Sequence, residues 1–192
     1  MEIKTTPRKK EILSKAAKLF KKRGYSAVTM RDIADTLDMK AASLYNHINS
    51  KQEILSTIVI DIADKFTNEM EKIKKQPLRT HEKLKKIIEF HIELTVKNPD
   101  AMACLNNDWM HLEEKLPYFV QMREDYEENF RSILKEGIAQ GEIANRDPEI
   151  MLFSLLSTLR TLYIWYTKKD GVDAKTLKDQ MPDTLLNGII KK

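Results

Sequence analysis

The side chains best suited to chemistry lie in one short segment, residues 40–47, and they are hydrogen-bonding groups. Apolar spacing predicts a helix there whose inner side carries Leu44 and continues to Ile48. A major groove of DNA suits the opposite face, because small residues allow close approach while Lys, Tyr and His reach phosphates or base edges. The alternative is an ordinary polar helix face. The outer face is small, hydroxylated, aromatic or cationic, lacks carboxylates, and comprises Lys40, Ala41, Ser43, Tyr45, Asn46 and His47.

Catalytic and metal chemistry finds little support in the residue types or their spacing. The four histidines, His47, His81, His91 and His111, are scattered, and no pair has metal-ligand spacing with a carboxylate. Cys104 is the single cysteine and has no identifiable base partner. With only five glycines, the chain has no glycine-rich phosphate loop. We therefore expect no enzyme activity, no metal site and no cofactor.

Two short helical patterns and a tight turn position the polar face. The first pattern runs over residues 30–37 with Ile33 and Ala34 on its apolar side, and Thr29 and Asp32 form a capping-box pair at its start. The second runs over about residues 40–47. Only residues 38 and 39 lie between them, so the two helices must cross steeply. The sequence therefore predicts a helix-turn-helix.

The distribution of charge along the chain also favours nucleic-acid binding by the amino-terminal region. Residues 1–51 carry 12 Lys and Arg against 5 Asp and Glu, a net charge of +7, and residues 52–192 carry 21 against 24, a net charge of −3. A basic amino-terminal region on a mildly acidic body is typical of a nucleic-acid-binding head. A helix from Pro7, capped by Thr6 and ended by Gly24, should complete a three-helix head.

The run T-M-R-D-I-A-D-x-L, followed by a short turn, S-L-Y-N-H-I and S-K-Q-E-I-L, resembles the DNA-binding domain of the TetR family of bacterial transcriptional regulators. The resemblance covers about residues 8–57. The family usually has glycine in the turn where this chain has Asp38, which tolerates a left-handed backbone better than most residues. By this resemblance, the DNA-contacting positions are Thr29, Arg31, Lys40, Ala41, Ser43, Tyr45, His47 and Lys51.

The composition predicts an all-α fold, because Gly and Pro are scarce in the 192 residues. We expect about nine helices: a three-helix DNA-binding domain over residues 1–50, and a larger ligand-binding and dimerisation domain over residues 51–192. A capping box at Ser50 and Glu53 should open a connector helix over residues 51–75. The lone cysteine, the missing secretory signal and the absence of an apolar span indicate a cytoplasmic protein without membrane contact.

The carboxyl-terminal helices predict a homodimer. A helix from Glu149 to about Thr167 is apolar nearly all round, and another should follow from Asp173 to Ile190 with a kink at Pro182. We expect the last two helices of two chains to form a four-helix bundle, and the alternative is burial inside one chain. Such a dimer would read a palindromic double-stranded operator. The residues expected in or near the interface are Leu155, Leu159, Leu162 and Ile189.

A helix capped by Thr80 should run to about Lys97 and place His91 on its inner side. It precedes a segment, residues 102–126, that is rich in Met and aromatic residues with a few polar groups. This composition is typical of a pocket for a small hydrophobic effector, and core packing is the alternative. The TetR resemblance implies an inducer site here. The expected lining is Phe66, Met70, Met102, Leu105, Asn106, Trp109, Met110, Phe119, Met122, Tyr126, Phe130 and Tyr163.

Residues 100–170 also resemble, more loosely, the branch of the family that responds to acyl-CoA thioesters, through Asn106-Asn107-Asp108-Trp109, Leu116-Pro117 and Trp165-Tyr166. This resemblance implies a repressor released from its operator by an acyl-CoA. A constitutive DNA-binding dimer without an effector remains open, as does a drug-sensing repressor of an efflux gene, with Asp108, Glu93 or Glu113 facing a cationic drug. Arg123, Arg131, Lys135 and Arg160 could meet CoA phosphates or could form surface salt bridges.

Overall fold

The computed structural model describes residues 6–169 and 171–187, and within them the regular secondary structure is helical, apart from an isolated bridge residue at Ile143. The all-α expectation is confirmed. Nine α-helices lie in the described part of the chain: α1 Pro7–Arg23, α2 Met30–Asp35, α3 Ala41–Tyr45, α4 Lys51–Lys75, α5 Thr80–Lys97, α6 Pro99–Ala103, α7 Leu116–Ala139, α8 Pro148–Tyr166 and α9 Ala174–Leu186.

The chain forms two compact units. The first unit contains the residues up to Ala63 together with Asp100–Phe119, and the second contains Asp64–Pro99 and the residues from Val120 onward. Helix α4 therefore contributes its first part to the first unit and its remainder to the second. The predicted functional boundary at residue 50 stays a prediction.

Local capping determines where the first helices begin and end. Thr6 accepts a hydrogen bond from the Lys9 backbone N–H, Pro7 occupies the first turn of α1, and Gly24 ends the helix with a φ of 80°. Thr29 and Asp32 form the predicted reciprocal capping box on α2. These contacts satisfy backbone groups that a helix end would otherwise leave without partners.

The start of α4 differs in one detail from the predicted capping box. The Ser50 hydroxyl accepts from the Glu53 backbone N–H at 3.0 Å, as expected. The Glu53 carboxylate, however, accepts from the backbone N–H of Asn49 at 2.8 Å. The Asn49 side-chain amide donates to the same oxygen, so the carboxylate reaches one residue further back than in the standard motif.

The irregular segment after α6 consists of short non-α turns of helix. Residues Cys104–Asp108 form a π-helical turn, and Trp109–His111 and Glu113–Lys115 form 3₁₀ turns. Cys104 is fully buried and Asp108 is nearly so. Single π-helical turns occur often at functional positions, which makes this segment a feature of interest in the first unit.

In the second unit, α5 packs against both α8 and α9. The prediction that Thr80 caps α5 is wrong, because Arg79 is the N-cap and Thr80 is the first helical residue. The Arg79 backbone N–H donates to Glu82 at 3.0 Å, and the Thr80 N–H donates to the Glu142 carboxylate at 2.6 Å. Because these two carboxylates satisfy the helix start, a Thr80 cap is not needed.

Helix α8 corrects the predicted interface residues. Leu155, Leu159 and Leu162 are 2%, 0% and 2% exposed, so they belong to the core of a single chain. The predicted Ile189 lies outside the described residues. Periodicity could not identify the buried face, because this helix is apolar on nearly every side. Its exposed large apolar side chains are Ile150, Phe153, Ile164 and Trp165.

No helix in residues 6–169 and 171–187 combines the length and apolar character that crossing a lipid bilayer requires.

Candidate DNA-binding and effector-binding sites

The apolar sides of α2 and α3 hold the helix-turn-helix together. Ile33, Ala34 and Leu44 are 0% exposed, and Ile48 just beyond α3 is 1% exposed. The turn between the helices places Asp38 at a φ of 51°, the left-handed conformation expected where the family usually has glycine. The predicted helix-turn-helix geometry is therefore present, with both inner faces buried.

The predicted polar face lies on the outside of the first unit. Lys40, Tyr45 and His47 are exposed, and Ala41 and Ser43 are half-buried. Tyr45 is 51% exposed, so about half of its side chain is open to a partner molecule. Arg31 on α2 is exposed as well. These side chains are accessible to DNA, and their contacts with it stay a prediction.

Thr29 uses its polar groups within the head. Its backbone N–H and its hydroxyl donate to Asp32 at 2.8 and 2.5 Å, and the Arg23 guanidinium donates to the same carboxylate at 2.9 Å. These hydrogen bonds and the charge of Arg23 hold the pKa of Asp32 well below its ordinary value. Thr29 and Asp32 therefore stabilise the start of α2.

Lys51 at the start of α4 also has partners within the first unit. Its ammonium donates to the backbone carbonyls of Tyr25 and Val28 at 2.9 and 2.8 Å. It also lies 4.2 Å from the centroid of the Tyr25 ring, a cation–π distance. This lysine therefore ties α4 to the loop after α1, and its contact with DNA stays a prediction.

Tyr25 connects that loop to the irregular segment of the same unit. Its hydroxyl donates to Gln52 at 2.6 Å, and the Gln52 amide donates to the His111 carbonyl at 2.6 Å. The rings of Tyr25 and His111 stack with centroids 5.2 Å apart. The Tyr25 N–H donates to Asp108, whose pKa is nevertheless raised by burial. Sequence reasoning missed Tyr25, because its partners lie far along the chain.

Six of the twelve predicted effector-binding residues lie in the first unit. Met102 and Phe119 are buried, and Trp109 is half-buried with its ring centroid 5.9 Å from that of Phe119. The half-buried Asn106 donates to the Met102 carbonyl, which holds the π-helical turn. Met110 is 64% exposed. The half-buried Leu105 completes this set.

The other six lie in the second unit, where all are buried: Phe66, Met70, Met122, Tyr126, Phe130 and Tyr163. The ring of Phe66 meets that of Tyr126 at 5.9 Å, that of Phe90 at 5.7 Å and that of His91 at 4.3 Å. His91 Nε2 lies 2.8 Å from the Tyr126 hydroxyl. The sequence placed His91 on the inner side of α5, but nothing local indicated its partner.

Of the four basic side chains considered for CoA phosphates, Arg123, Arg131 and Arg160 have carboxylate partners. Arg160 donates to Glu127 at 2.6 Å, and Arg123 approaches the same carboxylate at 3.4 Å. Their charges and hydrogen bonds lower the pKa of Glu127 although its partial burial raises it. Glu127 is therefore shared between two guanidinium groups.

Arg131 contacts Glu128 and Glu149, the salt-bridge role that the sequence left open. Lys135 is exposed on α7. Of the acidic groups considered for a cationic drug, Glu93 pairs with Lys97 and Lys178, and Glu113 is exposed with a φ of 45°.

The Cys104 thiol is buried in the first unit. Burial raises the pKa of the Cys104 thiol well above its ordinary value, so it is not a thiolate nucleophile. Within residues 6–169 and 171–187, no three or more His, Cys, Asp and Glu side chains cluster as metal ligands.

Family models match both the amino-terminal and the carboxyl-terminal part of the chain. Residues 12–58 match the family model described as "Bacterial regulatory proteins, tetR family", and residues 77–189 match "Tetracyclin repressor-like, C-terminal domain". The HTH-type transcriptional repressor KstR2 of Rhodococcus jostii (strain RHA1) is 26% identical over 185 residues, covering 95% of this chain and 91% of that protein.

Two solved structures share the fold along nearly the whole chain. The ketosteroid transcriptional regulator KstR2 of Mycobacterium tuberculosis matches with a TM-score of 0.91 at 22% identity, covering 98% of each chain. AibR, in complex with isovaleryl coenzyme A and operator DNA, matches with a TM-score of 0.77 at 23% identity, covering 92% of this chain and 97% of that one. With its helix-turn-helix and its matched carboxyl-terminal domain, the chain belongs to the TetR family of DNA-binding transcriptional regulators.

Proposed function

We propose that this protein is a homodimeric, cytoplasmic repressor that binds a palindromic operator and is released from it by a small hydrophobic effector. The observation that carries the proposal is the exposed polar face of α3 above a buried helix-turn-helix. Tyr45, Lys40 and His47 on this face have the sizes and donor groups that reach phosphates and base edges. The +7 charge of residues 1–51 adds the electrostatic attraction.

An acyl-CoA thioester is the effector that we propose. Support comes from AibR, a protein of the same fold that was solved with isovaleryl coenzyme A and operator DNA. The buried aromatic side chains of the second unit suit the acyl portion, as Phe66 and Tyr126 illustrate.

Dimerisation through α8 supplies the two-fold symmetry that a palindromic operator requires. The exposed Ile150 and Phe153 near the start of α8, and Ile164 and Trp165 near its end, form an apolar surface that a second chain would cover. Exposed apolar side chains clustered along one helix, at 67% and 73% for the first two, are typical of a protein–protein contact site.

Helix α4 is the element through which the effector acts on DNA in this proposal. It is continuous from Lys51, bonded to the loop before α2, to Lys75, whose neighbour Lys74 donates to Asn129 in the second unit. An effector that binds one setting of α4 more tightly shifts the population of spacings between the two heads of a dimer. DNA requires recognition helices about 34–36 Å apart, or a further helical turn, so a small shift breaks the match.

Reciprocal titrations test this proposal. The operator is first obtained by selecting duplexes from a random pool with the purified protein. Acyl-CoAs of graded chain length are then titrated against the free protein and against its operator complex. Because coupling is reciprocal, an effector that weakens DNA binding must bind the complex about five- to a hundredfold less tightly. Equal affinities in the two titrations, or the absence of any acyl-CoA effect, would leave a constitutive DNA-binding dimer as the function.

A further inference from the structure

Two polar atoms on the buried side of α5 have no protein partner among the described residues: His91 Nδ1 and Thr95 Oγ1. The two residues are only 4% and 0% exposed. They are four positions apart on one helix, so their side chains share a face. Leaving a buried donor or acceptor unpaired is unfavourable, and such groups in folded proteins are usually completed by a water molecule or a ligand.

Counting the protons on the imidazole ring shows whether His91 Nδ1 is a hydrogen-bond donor or an acceptor. Its Nε2 lies 2.8 Å from the Tyr126 hydroxyl. A phenol is the better donor of this pair and an imidazole nitrogen the better acceptor, so Tyr126 donates to Nε2. Burial, with a smaller contribution from the charge of Arg160, lowers the pKa of His91 to about 3, so the ring is neutral. Its one proton then lies on Nδ1, which is a donor without a partner.

The side chains around His91 favour a neutral hydrogen-bond acceptor over an anion. The ring of Phe66 lies 4.3 Å from that of His91 and meets the ring of Phe90 edge-on at 5.7 Å, so the neighbourhood is aromatic. A buried anion would need a facing cation. Arg160, the cation whose charge acts on His91, already donates to Glu127. A carbonyl oxygen is neutral and has two lone pairs, one for each of the two donors.

We propose that His91 Nδ1–H and the Thr95 hydroxyl together bind a carbonyl oxygen on the apolar part of the effector. This inference rests on the proposed function for its effector, and it specifies which atom of that effector the second unit recognises. The carbonyl could be that of a thioester or that of a ketone in the acyl portion, since both present the same oxygen to the two donors. His91 and Thr95 would thereby make the site favour an oxygen over a methylene group.

Pairs of ligands that differ only at the carbonyl test the proposal on the full-length protein. The first pair is octanoyl-CoA and S-octyl-CoA, and the second is cyclohexyl methyl ketone and isopropylcyclohexane. Affinities are measured for the wild type, for Thr95→Val, and for Thr184→Val as the matched control, whose exposed hydroxyl donates to the Gln180 carbonyl. We expect Thr95→Val to reduce the preference for the carbonyl compound at least tenfold in one pair and Thr184→Val to leave it unchanged.

Imidazole ¹⁵N spectra provide a second readout that does not depend on DNA release. His91 should show a protonated Nδ1, and the preferred carbonyl compound should shift that resonance while its partner compound does not. Thr95→Val should not lower the melting temperature of the free protein, because the hydroxyl that it removes is unpaired. A lowered melting temperature would mean that the hydroxyl is already satisfied within the fold, and it would overturn the proposal.

The two ligand pairs separate this inference from the proposed function. A response in the CoA pair identifies the thioester carbonyl, and a response in the ketone pair alone identifies a ring or chain ketone. If octanoyl-CoA fails to release DNA while the ketone pair responds at His91, the acyl-CoA proposal fails and this inference stands. If octanoyl-CoA releases DNA equally from wild type and Thr95→Val, and neither pair changes its preference, the inference is wrong and the proposed function stands. Failure of all four compounds to bind also overturns the inference.

Discussion

At the scale of single residues, several polar side chains expected to face a partner molecule have partners within their own chain. Thr29 is bonded to Asp32, and the Lys51 ammonium is bonded to two backbone carbonyls. Such residues support the geometry of the head, whereas Lys40, Tyr45 and His47 present exposed groups. A loss of DNA binding in a Lys51 variant would therefore report on the position of α4 as well as on a lost contact.

His91 gives a prediction about pH. Its pKa is lowered by burial to about 3 in the folded protein, against 6.5 for an ordinary histidine. Below pH 6.5 the unfolded chain binds a proton that the folded chain does not, so acidification lowers the free energy of unfolding. The slope approaches about 1.4 kcal/mol per pH unit, which amounts to roughly 2 kcal/mol between pH 6.5 and 5.

Urea unfolding at pH 7, 6 and 5, at one fixed protein concentration, checks this prediction. His91→Gln removes the titrating ring while keeping an amide that can bond to Tyr126, so its free energy of unfolding should fall less with acidification than that of the wild type. His47→Gln, at an exposed position, is the matched control and should follow the wild type. Parallel curves for all three proteins would show that the burial of His91 does not control its protonation.

At the scale of elements, the close approach of α7 and α5 in the second unit depends on Gly137. A methyl group at this position would lie 2.4 Å from Thr80 Cγ2 and 2.7 Å from Thr80 Oγ1. Alanine is favoured over glycine within a helix by about 1 kcal/mol, but overpacking typically costs about 1–3 kcal/mol. We therefore expect Gly137→Ala to lower stability, although helix propensity alone predicts the opposite.

A double-mutant cycle measures this contact. Thr80→Ala removes the two nearest atoms but keeps Thr80 Cβ, which would lie 2.8 Å from the added methyl group. It should therefore recover part of the stability that Gly137→Ala loses, with a coupling of about 1 kcal/mol between the two sites. Chemical unfolding of the wild type, both single variants and the double variant gives the four free energies. Additive effects would mean that the helices separate without strain when the methyl group is introduced.

At the scale of the whole molecule, the buried side chains of α8 should control the free energy of unfolding, and its exposed apolar side chains should control dimerisation. Phe153 is 73% exposed and Leu159 is 0% exposed. Phe153→Glu should yield a folded monomer, because a carboxylate cannot be covered by an apolar partner surface without a large desolvation penalty. Leu159→Ala should lower the free energy of unfolding by about 2–5 kcal/mol through the cavity that it creates, and should leave the dimer intact.

Light scattering at micromolar concentration, combined with circular dichroism, distinguishes these outcomes. A dimeric Phe153→Glu variant would show that the interface lies elsewhere on the chain. A monomeric wild type would contradict the dimer itself.

Electrostatics across the head gives the other whole-molecule prediction. With a net charge of +7 on residues 1–51, affinity for duplex DNA should fall roughly tenfold or more between 50 and 200 mM salt. Replacing Tyr45 by Ala should weaken all sequences similarly, and replacing Lys40 or Arg31 by Ala should change base preference. Binding isotherms on operator and random duplexes across this salt range test both statements, with Lys18→Ala on the exposed side of α1 as the control. Affinity independent of salt would rule out phosphate contacts as the main source of binding.

Local interactions explain why so much of the fold could be predicted from the sequence. The Thr6, Thr29 and Ser50 caps and the Gly24 stop each depend on residues within one turn of the helix end, and all four lie where the pattern indicated. The left-handed Asp38 is likewise a local consequence of a turn too short for any other path. The helix-turn-helix and its exposed polar face followed from the same short-range periodicity.

Features that depend on residues distant in the chain were decided only by the tertiary structure. Helix α8 is apolar on nearly all sides, so only packing against α5 determined that Leu155, Leu159 and Leu162 are buried while Phe153 is exposed. His91 was predicted to point inward, but its hydroxyl partner is 35 residues away. Periodicity describes one helix at a time, whereas a partner across the core is selected by the way several helices pack together.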